Sequence, residues 1–221
     1  MNNYNPSVST TSAVSINKVL RNTYFLLSFT LLFSALTAGI SMMLQVSHMV
    51  SLVCSFGALG LIWLVLPRTA NSAAGIGVVF AITGLLGFGL GPILNYYLSL
   101  SNGPELIATS LGGTGIIFLA LSGYVLTTKR DFSFMGGFLM VGLIIAVLAM
   151  VANIFLQIPA LSLALSSAII LIMSGFILFD TSRIINGGET NYINATVSLY
   201  LSLYNIFVSL LHILGIFGGD D

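Results

Sequence analysis

The chain has 221 residues, 57% of them hydrophobic and 5% charged, with a formal net charge of zero. Water-soluble domains carry roughly a quarter charged residues, so this inventory excludes an ordinary solvent-facing surface, and the absence of any Lys/Arg run excludes a nucleic-acid footprint. At about 20 apolar residues per membrane-crossing helix, the length accommodates about seven or eight spans joined by short connections.

Residues 1–17 are rich in Asn, Ser and Thr, and apolar surface is too scarce there to offset the entropy of ordering. A disordered cytoplasmic tail over 1–17 is therefore expected, followed by one all-α, seven-helix transmembrane domain over 18–221. Lys18, Arg21 and the small-residue run Ser34-Ala35-Leu36-Thr37-Ala38 also have the look of a secretory signal. The apolar run continues past Ala38 to Leu44, as a retained span requires.

In chain order, apolar segments fall at residues 23–44, 49–66, 73–90, 106–127, 134–156, 160–180 and 196–217. Turn-forming residues punctuate their borders: Pro67, Gly91-Pro92, Asn102-Gly103-Pro104, Pro159 and Gly187-Gly188. The six basic residues fall only in alternate connections. Lys18 and Arg21 precede the first segment, Arg68 follows the second, Lys129 and Arg130 follow the fourth, and Arg183 follows the sixth. Because Lys and Arg beside spans stay on the cytoplasmic side, this alternation predicts the N-terminus in and the C-terminus out. Cys54, the single cysteine, excludes an intramolecular disulfide and reads as a packed small residue.

Polar and small residues at helical spacing mark the faces on which membrane helices meet. In the seventh segment Ser198, Ser202, Asn205, Ser209 and His212 recur at steps of four, three, four and three. They form one stripe of roughly 21 Å, readable as hydrogen-bonding glue between helices or as a polar track for protons or hydrated cations. Gly84, Gly87 and Gly91 in the third segment, and Ala108, Gly112 and Gly115 in the fourth, predict faces for close helix approach. Asp180 ends the sixth segment with Arg183 three residues on, the spacing of an ion pair on one helix face. As an intramembrane carboxylate it is also a candidate titratable gate. His212 is a candidate sensor of external acidity, and Asn95 and Asn153 read as structural hydrogen-bonding residues.

Catalysis is not expected. Aspartyl chemistry needs two carboxylates sharing a proton, and only Asp180 lies within a span. Ser209 and His212 sit on one helix without an oxyanion hole. Two histidines and one cysteine, scattered along the chain, do not make a zinc site, and no phosphate-binding loop is present. No cofactor is expected either.

The strings VLRNTYFLLS, GPILN, YVLTTKRD, MVANIFLQIPAL, GGETNYI and SLYLSLYNIFVSLL, spread from Lys18 to Gly215, together resemble the Bax inhibitor-1 family, and within it the bacterial branch. That resemblance implies six helices around a central seventh. It also implies a multi-pass protein of the bacterial inner membrane that binds the membrane-anchored AAA protease FtsH and its associated membrane proteins, and restrains degradation of membrane substrates. Some members of the wider family are pH-sensitive calcium leaks that use one aspartate on the sixth helix and one on the seventh. Asp180 in ILFDTSRII matches the first, whereas SLYLSLYNIF puts Ser202 at the second. Proton sharing between two carboxylates does not carry over, and calcium prefers several hard, often anionic oxygens. A calcium or cation leak gated near Asp180 therefore stands second to protease modulation.

Overall fold

The computed structural model describes residues 6–218, with side chains from Ile16 onward, and among these residues every regular element is helical. The helices are α1 (Pro6–Met43), α2 (His48–Gly60), α3 (Leu66–Thr69), α4 (Ala74–Gly89), α5 (Gly91–Leu98), α6 (Gly103–Thr128), α7 (Gly136–Leu156), α8 (Pro159–Ile185) and α9 (Tyr192–Gly218). Seven stretches are long and apolar enough to cross a membrane: Ile16–Met43, His48–Thr69, Ala74–Leu98, Gly103–Thr128, Ser133–Leu156, Pro159–Ile185 and Tyr192–Gly218. Each contains most or all of one expected segment. Of the tail expected over 1–17, the first five residues lie outside the described residues; from Pro6 the backbone is helical and forms the start of α1, with side chains described from Ile16 onward.

Two expected borders are corrected. Pro67 does not end the second span, which runs on to Thr69. Proline lacks an N–H and its ring crowds the carbonyl four residues back, here that of Trp63. The backbone answers with a π-helical stretch, Leu61–Val65, in which the Leu66 N–H reaches Leu61 O. Downstream, the Arg68 guanidinium donates to Leu64 O and the α-helical pattern resumes, with Ala70 N–H on Leu66 O at 2.8 Å. Gly91-Pro92 likewise lies inside the third span, because α5 starts there and proline in a first helical turn forfeits no needed hydrogen bond.

The helix α9 packs on α8, α6, α1 and α4, whereas α2 packs chiefly on α4 and α7 on α8. Leu199, Tyr200 and Leu203 of α9 share a core with Leu26 and Leu27 of α1 and with Val79, Ile82 and Leu86 of α4. Ile206 joins Ile169, Met173 and Ile177 of α8 and Ala146 of α7 in a second. Large apolar side chains cover much of the outer surface, Trp63, Phe138 and Phe155 among them, as a hydrocarbon environment permits.

The glycines of the third span do bring helices together. A Cβ on Gly84 would strike Phe33, one on Gly87 would strike Ser34 and Thr37, and one on Gly91 would strike Ser41, all on α1. The fourth-span seam is overturned: a Cβ on Gly112 or Gly115 would meet nothing within 4 Å, and Ala108 is exposed. The buried face of α6 carries Leu106, Ser110 and Thr114 instead.

The loops gather the basic residues at one end of the bundle. Asn191 at the start of α9 donates to Ala70 O at 2.9 Å and to Asn71 Oδ1 at 2.8 Å, which places the Arg68 connection beside the α8–α9 loop. The α6–α7 connection that carries Lys129 and Arg130 is held to the end of α8, with Phe132 N–H on Ser182 Oγ at 2.8 Å. At the other end Asn95 Nδ2 donates to Met42 O at 3.1 Å, and Asn102 Nδ2 to Gly218 O at 2.6 Å.

Candidate functional site

Asp180 lies in the last two turns of α8, whose long apolar run carries it to the basic end of the bundle. It is buried, at 7% relative exposure, and its Oδ2 has no hydrogen-bond partner among the described residues. The Ser198 hydroxyl on α9 faces the same carboxyl. Thr181 beside it is fully buried, with Oγ1 likewise unpartnered. Buried polar atoms normally find partners, so two unmatched oxygens on adjacent residues make this a polar defect in the buried end of α8.

The ion pair expected between Asp180 and Arg183 is not formed. Arg183 turns to the α8–α9 loop, where it meets Glu189 at 3.6 Å, donates to Gly188 O at 3.0 Å and lies 5.4 Å from the Phe179 ring centroid. The loop wins because it offers a carboxylate and a carbonyl near the helix end, where a long basic side chain can leave the apolar interior. Arg183 and, after it, Glu189 still bear on the Asp180 carboxyl electrostatically while bound to each other. Among the described residues no group of three His, Cys, Asp or Glu side chains comes together to hold a metal ion.

The α9 stripe does not share one environment. Ser202 and Ser209 are buried and Ser198 is exposed. Asn205 is half-buried and donates to Leu201 O of its own helix at 2.8 Å. His212 Nδ1 pairs with Ser166 Oγ of α8 at 2.8 Å, an interhelical bond joining the far halves of α8 and α9. Asn153 accepts from Ile158 N–H at 3.1 Å and so caps the turn before α8.

Sequence reasoning missed a second polar centre on another face of α9. Tyr200 is 1% exposed, its hydroxyl lies 2.6 Å from Ser34 Oγ of α1, and it donates to Thr83 O of α4 at 3.3 Å. One turn earlier the Thr196 hydroxyl donates to Tyr192 O of its own helix at 2.7 Å and lies 3.4 Å from Thr23 O of α1. The available signal was the four-residue step Thr196, Tyr200, Tyr204, hidden because tyrosine counts as apolar in a hydropathy pattern.

Comparison with known proteins covers the same ground. The family model described as "Inhibitor of apoptosis-promoting Bax1" matches residues 16–219. The chain is 58% identical over 210 residues to "Modulator of FtsH protease YccA" of Escherichia coli K12, covering 95% of each chain. It has the same identity and coverage with "Inner membrane protein YccA" of Escherichia coli O6:H1. An "Uncharacterized membrane protein" of Vibrio cholerae is 52% identical over 93% of this chain and 92% of its own length. Matched along all seven spans and at these identities, the chain belongs to the Bax inhibitor-1 family.

Proposed function

We propose that this protein is a multi-pass inner-membrane modulator of an FtsH-type AAA protease, binding the protease and restraining its action on other membrane proteins. The observation that carries the reading is the 58% identity, over 95% of both chains, to the protein named as a modulator of that protease. The architecture supports it. Three packed cores across seven spans make a bundle costly to extract, while residues 1–17 have the composition of a segment that a protease can engage. A bundle that resists extraction while its tail is held would occupy the protease. In this reading α9 is the axis of the bundle, the N-terminus is cytoplasmic and the C-terminus lies outside.

Tagged protein solubilised in mild detergent should co-purify FtsH, and a variant lacking residues 1–17 should lose it. Overproduction should slow the turnover of a second membrane substrate of the protease. Unchanged turnover, with full co-purification by the truncated chain, would sink the proposal. A cation leak ranks below this: Asp180 and the stripe from Ser198 to His212 line no part of the cavity described next, and Ser202 stands where the second acid would be.

A further inference from the structure

Among the described residues the helices α1 and α6 are joined near one end. There the Tyr24 hydroxyl is hydrogen-bonded to Ser122 Oγ, and the Tyr24 ring centroid lies 5.7 Å from that of Phe118. Beyond Phe118 the two helices part, and a cavity of about 420 Å³ opens between residues 31–42 of α1 and 107–118 of α6. Its floor is Tyr200, Leu203, Tyr204 and Phe207 of α9, and Leu90 and Leu94 close its far end. Gly39 on one wall and Gly115 on the other keep it wide, since a Cβ at either would meet nothing within 4 Å.

The lining decides what can fill this space. It is almost wholly apolar: the hydroxyls of Ser34, Tyr200 and Thr114 are already engaged, the first two with each other and Thr114 with Ser110 O at 2.7 Å, which leaves the Tyr204 hydroxyl as the one lining hydroxyl without a hydrogen bond among the described residues. Apolar cavities of this kind stay dry. An empty cleft in hydrocarbon forfeits the dispersion contacts its walls would otherwise make. Size excludes a helix: spread along the roughly 16 Å from Leu31 to Met42, at about 1.5 Å per residue, the space open to the centre of a water-sized sphere averages about 26 Å² in section, roughly 9 Å across once the sphere's own radius is added. A helix with its side chains is about 10–12 Å across. An extended hydrocarbon chain is what fits.

We propose that the cleft is a binding groove for one acyl chain of a membrane phospholipid, which enters sideways between α1 and α6 and lies on the tyrosine floor of α9. The chain is held by shape rather than by the hydrophobic effect, because lipid tails lose nothing by leaving other tails. It completes the contacts that α1 and α6 fail to make with each other, and the phospholipid stays with the protein when the bulk bilayer is removed.

Lipid retained through mild-detergent purification, counted per chain by native mass spectrometry, tests this. The wild-type protein should carry one phospholipid. The Gly39→Leu/Gly115→Leu double variant adds bulk on both walls from positions where a Cβ meets nothing within 4 Å, and should retain at least tenfold less. Gly112→Leu, on the same helix but outside the cleft, should match the wild type. Should the double variant fail to fold, the two single variants give the same comparison. Equal retention in wild type and cleft-filled variants, or none in the wild type, overturns the proposal. So would disulfide-linked dimers of a Gly39→Cys, Cys54→Ala protein in membranes, because they would show that a second copy covers the groove.

Discussion

Asp131 fastens the α6–α7 connection to the end of α8. Its Oδ1 accepts from Ser133 N–H at 2.8 Å and from Ser182 Oγ at 3.3 Å, and Ser182 Oγ in turn accepts from Phe132 N–H. Hydrogen bonds from the Ser133 hydroxyl and N–H, and from Ser182, hold the carboxyl below the usual carboxylate range. A folded-state value below the unfolded one means that the clip contributes fully above about pH 4 and is lost as pH falls through the depressed value. Amide exchange at Phe132 and Ser133, corrected for intrinsic rates, should therefore show a loss of protection below about pH 4 that Asp131→Asn abolishes; an identical pH profile in the variant would refute the assignment. The glycines make a sharper contrast at the same scale. Gly87→Leu drives a side chain into Ser34 and Thr37 of α1 and should destabilise the bundle by about 3 kcal/mol or more, in the manner of overpacking. Gly112→Leu, facing open space, should leave thermal unfolding within about 0.5 kcal/mol of the wild type.

At the level of helices, the Tyr200 hydroxyl is the point where α1, α4 and α9 are joined, through Ser34 Oγ and Thr83 O. Hydrogen bonds between membrane helices average about 0.6 kcal/mol and reach about 1.7 kcal/mol. A double-mutant cycle of Ser34→Ala and Tyr200→Phe, read by unfolding in detergent, should return a coupling within that range; zero coupling would show the two hydroxyls to be energetically independent. What the sequence made legible follows the same physics. The seven spans could be read because bilayer thickness imposes a length on every helix, and Asp180 could be singled out because a carboxylate in an apolar run has few innocent explanations. Pro67 and Gly91-Pro92 misled because they mark where a chain can leave a helix, whereas the π-turn before Pro67 and the restart at α5 keep it going. Gly112 and Gly115 misled because small residues permit close approach only where a partner helix stands opposite, and here Gly115 borders a cleft while Gly112 faces open space outside it. The partners of His212 and Arg183 were illegible for a related reason: Ser166 lies 46 residues away on another helix, and Glu189 sits in a loop, so spacing within one helix could name neither.

Across the whole molecule, the Asn191 clamp on Ala70 and Asn71 and the Ser182 clip on Phe132 bring three basic connections to one end of the bundle. That end also holds Asp180 and the start of the first span, with Lys18 and Arg21. Since basic residues beside spans are retained in the cytoplasm, cysteines placed in a Cys54→Ala background at the exposed positions Ser72, Thr128 and Thr190 should resist an impermeant maleimide in intact spheroplasts and react after permeabilisation. Cysteines at Ser47 and Ser99, exposed at the opposite end, should react at once. Labelling that put positions 72 and 128 on different faces would break the seven-span map itself. Immediate labelling at 72, 128 and 190 together would keep the map and invert it, placing residues 1–17 outside the cell membrane and away from a cytoplasmic unfoldase. The protease proposal depends on that tail and would fall with it. The acyl-chain groove would survive the inversion, because its walls are α1 and α6 whichever way the bundle points.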